Sequence, residues 1–174
     1  MTDKGLIHMD PLIPIEKNER EILRFLIQLY RYDLSEFRGC ILTSKNKFFE
    51  GDLERRCISG EALGWLISDE AGVAGFVILT PPTENNTTWE LNDFFVMRSR
   101  RRRGTGSNAA RAAFALGNSW ALCVDVNNPG ANKFWTNLFC DCSLQVISRS
   151  EIKSPTTPVD SIRYIVEKQD NPAR

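Results

Sequence analysis

Net charge is the first thing this chain lacks: 22 Lys and Arg are offset by 22 Asp and Glu across 174 residues, with a single His. Nothing global therefore draws it to nucleic acid or to an anionic membrane surface. It has no apolar run near the ~18–20 residues needed to span a bilayer. Its opening residues, Met1-Thr2-Asp3-Lys4, lack the basic-then-apolar pattern of a secretory leader, so the expected address is the cytoplasm. Imidazole is too scarce for a zinc centre: His8 stands alone, and Cys140-Asp141-Cys142 supplies no four-ligand set at zinc spacing, so no metal site is expected. Cys40, Cys57, Cys123, Cys140 and Cys142 are odd in number, which argues against a disulfide framework and for reduced thiols. What is present is an ordinary globular composition, 42% apolar and 25% charged, at a length that suits one domain with a core.

Leu6 to Ile15, interrupted by Pro11 and Pro14, reads as an edge strand. Asn18-Glu19-Arg20-Glu21 has the form of a capping box, with Asn18 as N-cap. The spacing of Ile22, Leu26, Leu29 and Tyr30, widened by Leu23 and Phe25, predicts an amphipathic helix to about Tyr32, with a second short helix starting at Asp33. Two β-rich runs from Ala62 and from Val73 flank Asp69-Glu70-Ala71-Gly72, a hairpin loop of about four residues. A strand from Trp89 to Met97 follows, then an Ala-rich helix from Gly104 to Leu116 that stops at Gly117-Asn118. Trp120 to Val126 is a strand, Ala131 to Leu138 a short helix, and the runs from Leu144 and from Ser161 form a last hairpin around Ser154 to Pro158. The expected fold class is therefore α/β, a single domain over residues 1–167 with a mixed, mostly antiparallel central sheet flanked by helices, and residues 168–174 as a disordered tail.

The informative segment is Arg98-Ser99-Arg100-Arg101-Arg102-Arg103-Gly104-Thr105-Gly106-Ser107. Glycines just before a helix let the backbone wrap an anion, presenting N–H groups backed by the helix dipole. A Walker A loop fails because no Lys follows Gly106. Gly104 to Ala109 does satisfy the dinucleotide fingerprint, with Asp125 about 20 residues on. That motif, however, directly follows the first strand of its fold; here seven residues separate Val96 from Gly104, and antiparallel strands come first. Five arginines between Arg98 and Arg103 also admit a nucleic-acid patch, but no matching basic face exists elsewhere in the chain, and no nucleic-acid partner is expected.

Arg101-Arg102-Arg103-Gly104-Thr105-Gly106 resembles the Arg/Gln-x-x-Gly-x-Gly/Ala signature of the GNAT superfamily of acyl-CoA-dependent N-acyltransferases. The preceding Leu91-Asn92-Asp93-Phe94-Phe95-Val96-Met97 resembles the matching strand of spermidine/spermine acetyltransferases, and Asn127-x-x-x-Ala131-x-x-Phe134-Trp135 resembles a second family segment. The resemblance implies an N-acetyltransferase using acetyl-CoA as cosubstrate and a primary amine as acceptor, by direct attack in a ternary complex, with no membrane partner and homodimerisation left open. It implies that Phe94, Phe95 and Val96 pair through their backbone with the pantetheine arm. An amide near Phe94 would stabilise the oxyanion, an effect worth ~3 kcal/mol for one well-aimed donor. Arg101, Arg102, Arg103, Gly104, Thr105, Gly106 and Ser107 would hold the pyrophosphate, Asn127 would bond the pantetheine arm and Phe134 would pack beside it.

For acid–base chemistry, the resemblance places Glu90 as base; it also implies a bulge in this strand, and where alternation holds despite it Asp93 takes the opposite face from Glu90 and Asn92. Asn92 stands where polyamine acetyltransferases carry a Glu. Trp135 stands where many members carry a Tyr that protonates the leaving thiolate, and an indole N–H cannot do so. Tyr30, Tyr32 and Asp33, with Asn92, are the expected substrate contacts, an aromatic and acidic mixture suited to a cationic amine. Loss of the Tyr also admits a non-catalytic acyl-CoA-binding regulatory module as the alternative.

Overall fold

The computed structural model describes residues 10–16, 18–39, 42, 48, 53–59, 61–153 and 159–169. His8, Cys40 and the Ser154 to Pro158 loop lie outside the described residues. In chain order the elements are β1 (Leu12–Pro14), α1 (Arg20–Arg38), α2 (Leu53–Ser59), β2 (Leu63–Asp69), β3 (Gly72–Thr80), β4 (Trp89–Val96), a 3₁₀ turn (Arg98–Arg100), α3 (Thr105–Phe114), β5 (Ser119–Asp125), α4 (Pro129–Asp141), β6 (Leu144–Ile152) and β7 (Ser161–Lys168). The strands form one sheet in the order β1-β2-β3-β4-β5-β7-β6, antiparallel throughout except where β4 meets β5.

Two apolar layers sandwich this sheet. On one side Leu23, Leu26 and Ile27 of α1 pack on Leu66, Phe76, Ile78 and Phe95. On the other, Ala109, Ala110 and Ala113 of α3 and Trp135, Leu138 and Phe139 of α4 pack on Leu79, Leu91, Trp120 and Leu122. Each large aliphatic side chain so buried contributes ~1.5–3 kcal/mol. β3, covered on both faces, reads as a continuous buried run rather than an alternating one. Gly75 lets β3 and β4 approach: a Cβ there would lie 1.9 Å from the Phe95 carbonyl oxygen.

Several expectations shift. Of the first expected strand, Leu12–Pro14 is observed as such, while Leu6 to Met9 lie outside the described residues. Glu19, not Asn18, is the N-cap of α1, and its carboxylate accepts from the Glu16 amide at 3.0 Å. The two expected helices are one, because Asp33 caps nothing and instead faces the arginine turn. Ile22 and Phe25 are exposed, so the buried stripe of α1 is Leu23, Leu26, Ile27 and Leu34. The hairpin loop tightens to Glu70 and Ala71, with Asp69 paired to Gly72. The short α2 had no periodic signal. β7 runs through Lys168, whose amide donates to Asn118, and the Gln169 amide donates to Ser143, so order extends into the expected tail. Among the described residues no helix is long and apolar enough to cross a membrane, and no group of three or more His, Cys, Asp or Glu could hold a metal ion.

Candidate active site

Strand β4 pairs with β3 along its length but with β5 only at Trp89↔Trp120, Glu90↔Ala121 and Leu91↔Leu122. Its register against β3 steps from Leu79↔Leu91 to Ile78↔Asp93, which makes Asn92 an extra, bulged residue. A bulge bends its strand and steepens the twist, so β4 leaves β5 beyond this point and a wedge opens between them. The extra residue also resets which face each side chain takes. Asp93 is thereby brought to the same side as Glu90, and both line one cavity of about 210 Å³ with Arg56, Asn92, Ala121, Cys123 and Arg163. The expectation that Asp93 faces away from Glu90 is overturned, because strict alternation does not survive the bulge.

The backbone of β4 beyond the bulge is directed in a definite way. The Met97 amide donates to Ala74 on β3 at 2.8 Å, so by alternation the polar groups of Phe95 also face β3, while those of Phe94 and Val96 face the wedge. No β5 partner meets them there. The Val96 carbonyl is taken by Arg101 Nε at 2.7 Å, leaving the Phe94 amide directed into the opening.

At the far end of β4 the chain makes an anion-shaped turn. Arg102 has φ 59° and Gly104 φ 85°, both left-handed, and α3 starts at Thr105 with no side-chain cap from Gly104. Left-handed residues next to a helix start turn successive N–H groups inwards, and the helix dipole adds positive potential. The arginines divide into two groups. Arg98 pairs with Asp33 and Glu36, Arg100 with Asp69 and the Ala71 carbonyl, and Arg101 with Asp33, so these three brace the turn from α1 and the β2–β3 hairpin. Arg102 and Arg103 are exposed, with no partner among the described residues. Thr105 is buried and donates to Asp69 at 3.2 Å.

Behind the turn, Phe134 stacks on Phe94 with ring centroids 5.9 Å apart, and a Cβ on Gly106 would lie 3.6 Å from the Phe134 ring. Trp135 is buried against Phe94, Phe114 and Phe139 and presents no hydroxyl. Asn127 is exposed; its neighbour Asn128 caps α4, accepting from the Ala131 amide at 2.9 Å. α4 thus starts at Pro129, two residues before the expected Ala131.

On the cavity side, Arg163 Nη2 donates to Glu90 Oε1 at 3.1 Å. Arg56 Nη2 donates to Thr80 Oγ1 at 2.8 Å, and Thr80 donates on to Asn92 Oδ1 at 2.7 Å. Tyr30, its ring packed on Phe76 and Phe95, hydrogen-bonds to the Asp93 carboxylate. Burial pushes the Asp93 carboxyl above the usual aspartate range, against the opposing pull of Arg31, the Tyr30 hydrogen bond, Arg38 and Arg56. Burial likewise raises the Tyr30 hydroxyl well above its ordinary value, reinforced by Asp93, so it remains a protonated donor. Of the four expected substrate contacts, Tyr30 and Asn92 meet here; Tyr32 is exposed beside Phe48 and Asp33 is committed to Arg98 and Arg101.

Sequence reasoning passed over Arg56, Arg163 and Arg38, weighed Asp93 only to set it on the other face, and weighed Asp125 only as a dinucleotide acid, not as the buried partner of Arg38 at two hydrogen bonds of 2.6 Å. Only Asp93 carried a signal, its position inside the motif strand.

The profile described as the Acetyltransferase (GNAT) family matches residues 26–139. No curated protein matches the chain in sequence. Solved structures do. RimL, a ribosomal L7/L12 alpha-N-protein acetyltransferase in complex with coenzyme A, aligns with a TM-score of 0.65 at 12% identity, covering 90% of this chain and 93% of that one. Microcin C7 self immunity acetyltransferase MccE, in complex with acetyl-CoA and AMP, aligns at 0.63 and 14% identity over 94% of this chain and 96% of that one. Spermidine N-acetyltransferase from Vibrio cholerae, in complex with CoA and spermine, aligns at 0.62 and 14% identity over 90% and 94%. At such identities the likeness concerns the fold.

Proposed function

Because the chain belongs to the GNAT acetyltransferase family, we propose that it transfers the acetyl group of acetyl-CoA to the primary amine of a small acceptor, in the cytoplasm, by direct attack in a ternary complex. One observation carries this reading: the wedge between β4 and β5 joins an anion-shaped turn on the α3–α4 side to a pair of carboxylates on the α1–α2 side.

The residues present fit acetyl-CoA. The amides of Arg102 to Ser107, with the side chains of Arg102 and Arg103, suit its pyrophosphate, since two left-handed residues and an uncapped helix start leave these groups convergent. Phe134 and the wedge-facing backbone of Phe94 and Val96 suit the pantetheine arm. When bound, acetyl-CoA supplies an acyl group activated as a thioester. The Phe94 amide, fixed in the strand, is the donor for the developing charge on the acyl oxygen, and needs no reorganisation to serve.

On the acceptor side, Asp93 is the base we favour. Its raised pKa lies nearer the working pH than that of an ordinary carboxylate, and proton transfer is most effective there. Glu90, which sequence reasoning placed as base, stands across the same cavity under Arg163 and positions the incoming nitrogen. The N–C bond forms as the C–S bond breaks, and one proton passes from nitrogen to Asp93 and ends on the released thiol. Tyr30 steadies the Asp93 carboxylate through its hydrogen bond, and this pair takes up the proton traffic that Trp135 cannot support.

Calorimetry with acetyl-CoA and thiol release over a panel of amines test the proposal. Binding is expected below ~1 mM, with turnover of at least one amine class. No binding at that concentration would refute the cosubstrate assignment. Binding with only slow hydrolysis across the panel would favour the non-catalytic module.

A further inference from the structure

The acceptor cavity offers a polycation no excess of negative charge: Arg56 and Arg163 line it beside Glu90 and Asp93, two cations against two carboxylates, and Arg38 is spent on Asp125. Both carboxylates are already matched, Glu90 by Arg163 at 3.1 Å and Asp93 by the Tyr30 hydroxyl and the surrounding guanidinium groups. Asn92, the bulged residue, is neutral and accepts from Thr80. Among the described residues a second ammonium on an acceptor would therefore find no surplus carboxylate and would lie against arginines.

An anionic group would find the reverse. Each guanidinium has five N–H donors in a planar fork. Arg56 is engaged by Thr80, and Arg163 by Glu90 and Cys123, so that among the described residues donors are left over on both. The two arginines arrive from separate elements, α2 and β7, and meet only at this cavity. The space that these residues line measures about 210 Å³.

We propose that the acceptor is a small amine carrying its own anionic group, a carboxylate or a phosphate, with its nitrogen at Glu90 and Asp93 and its anion held by Arg163 and Arg56. The inference rests on the acetyl-transfer reading above and narrows its substrate class. The reaction consumes one acetyl-CoA and one amine and yields the N-acetyl acid and the free thiol; the anionic group takes no part in bond making.

Matched pairs test it. Thiol release is measured for leucine against leucinamide, for an aminoalkyl phosphate against its amino alcohol, and for spermidine. In at least one pair the anionic member is expected to exceed its neutral partner ~10-fold or more in kcat/KM, the worth of one charge-assisted hydrogen bond, and the pair that responds tells carboxylate from phosphate. Arg163→Gln and Arg56→Gln each draw that ratio towards one; as a ratio within a single variant, it does not respond to a general loss of folded enzyme. Faster turnover of neutral partners or of spermidine overturns the inference and leaves acetyl transfer standing. An anionic preference unchanged in both variants overturns the assignment to these arginines. No thiol release with any amine overturns acetyl transfer and this inference together.

Discussion

Replacing Arg38 with Met would leave a buried carboxylate without its charge partner. The Asp125 side chain is 3% exposed and Arg38 26%, with both hydrogen bonds at 2.6 Å. Such a pair adds little net stability over an apolar pair of the same shape, but removing one partner costs ~3–5 kcal/mol. Methionine retains much of the arginine stem's packing, so the loss reports on charge rather than volume. The remaining partner on the Asp125 carboxylate is the Ser161 hydroxyl at 3.4 Å, too long to compensate. For a chain of this length each kcal/mol moves Tm by ~2–4 °C, so Arg38→Met should melt ~6–20 °C below the parent. Adding Asp125→Asn should restore most of that, since no charge is then stranded. Thermal melts by circular dichroism and a urea double-mutant cycle measure both. A loss under ~1 kcal/mol, or no recovery in the double variant, would refute the reasoning that this pair is a buried clasp between α1 and the end of β5.

Gly75→Ala should prevent folding or leave a strongly destabilised protein, because its methyl would meet the Phe95 carbonyl at 1.9 Å; denaturant titration checks this. Asp93→Asn should lower kcat by ~10²–10⁴-fold and abolish the acidic limb of the pH–rate profile, which in the parent falls as pH drops through the raised pKa. The stability effect has the opposite sign. A carboxyl whose folded pKa is raised costs stability as pH climbs through that pKa, so Asp93→Asn should melt higher at pH 7, with the gain gone near pH 3. Arg102→Gly relieves a left-handed arginine, worth ~1 kcal/mol, yet removes a free cation; Tm should hold or rise while the acetyl-CoA Kd rises ~10-fold by calorimetry.

The parts legible in the sequence were those with a local cause. Gly104 announces the turn because no other residue takes φ 85° as cheaply, and the alanines after it announce α3. β4 was legible as a strand, and the family resemblance implied a bulge in it, but the bulge's position was not legible: one extra residue at Asn92 changes no composition and reverses every later side chain, so alternation put Asp93 on the wrong face. The acceptor cavity was illegible for a different reason. Arg56, Glu90 and Arg163 stand far apart in the chain and come together only through sheet order, with β7 inserted beside β5. Asp33 looked like a ligand because it sits among aromatic residues near the end of α1; its partners Arg98 and Arg101 lie on a different element and could not be seen from its neighbours.

The wedge between β4 and β5 also gives the sheet a seam. Seven strands joined edge to edge along their lengths would open as one plate. Here β1 to β4 form one plate and β5, β7 and β6 another, with only three backbone residue pairs between them, helped by the Glu90–Arg163 pair, the Trp89–Trp120 stack and Arg38 with Asp125. Local opening follows the weakest line, so amides flanking the seam should exchange with solvent before those of β3 or β7. A ligand lying along the seam would weld the plates into a single cooperative body and slow exchange on both sides at once. Loading is thus expected to rigidify the chain along this one line, which exchange measured with and without acetyl-CoA checks.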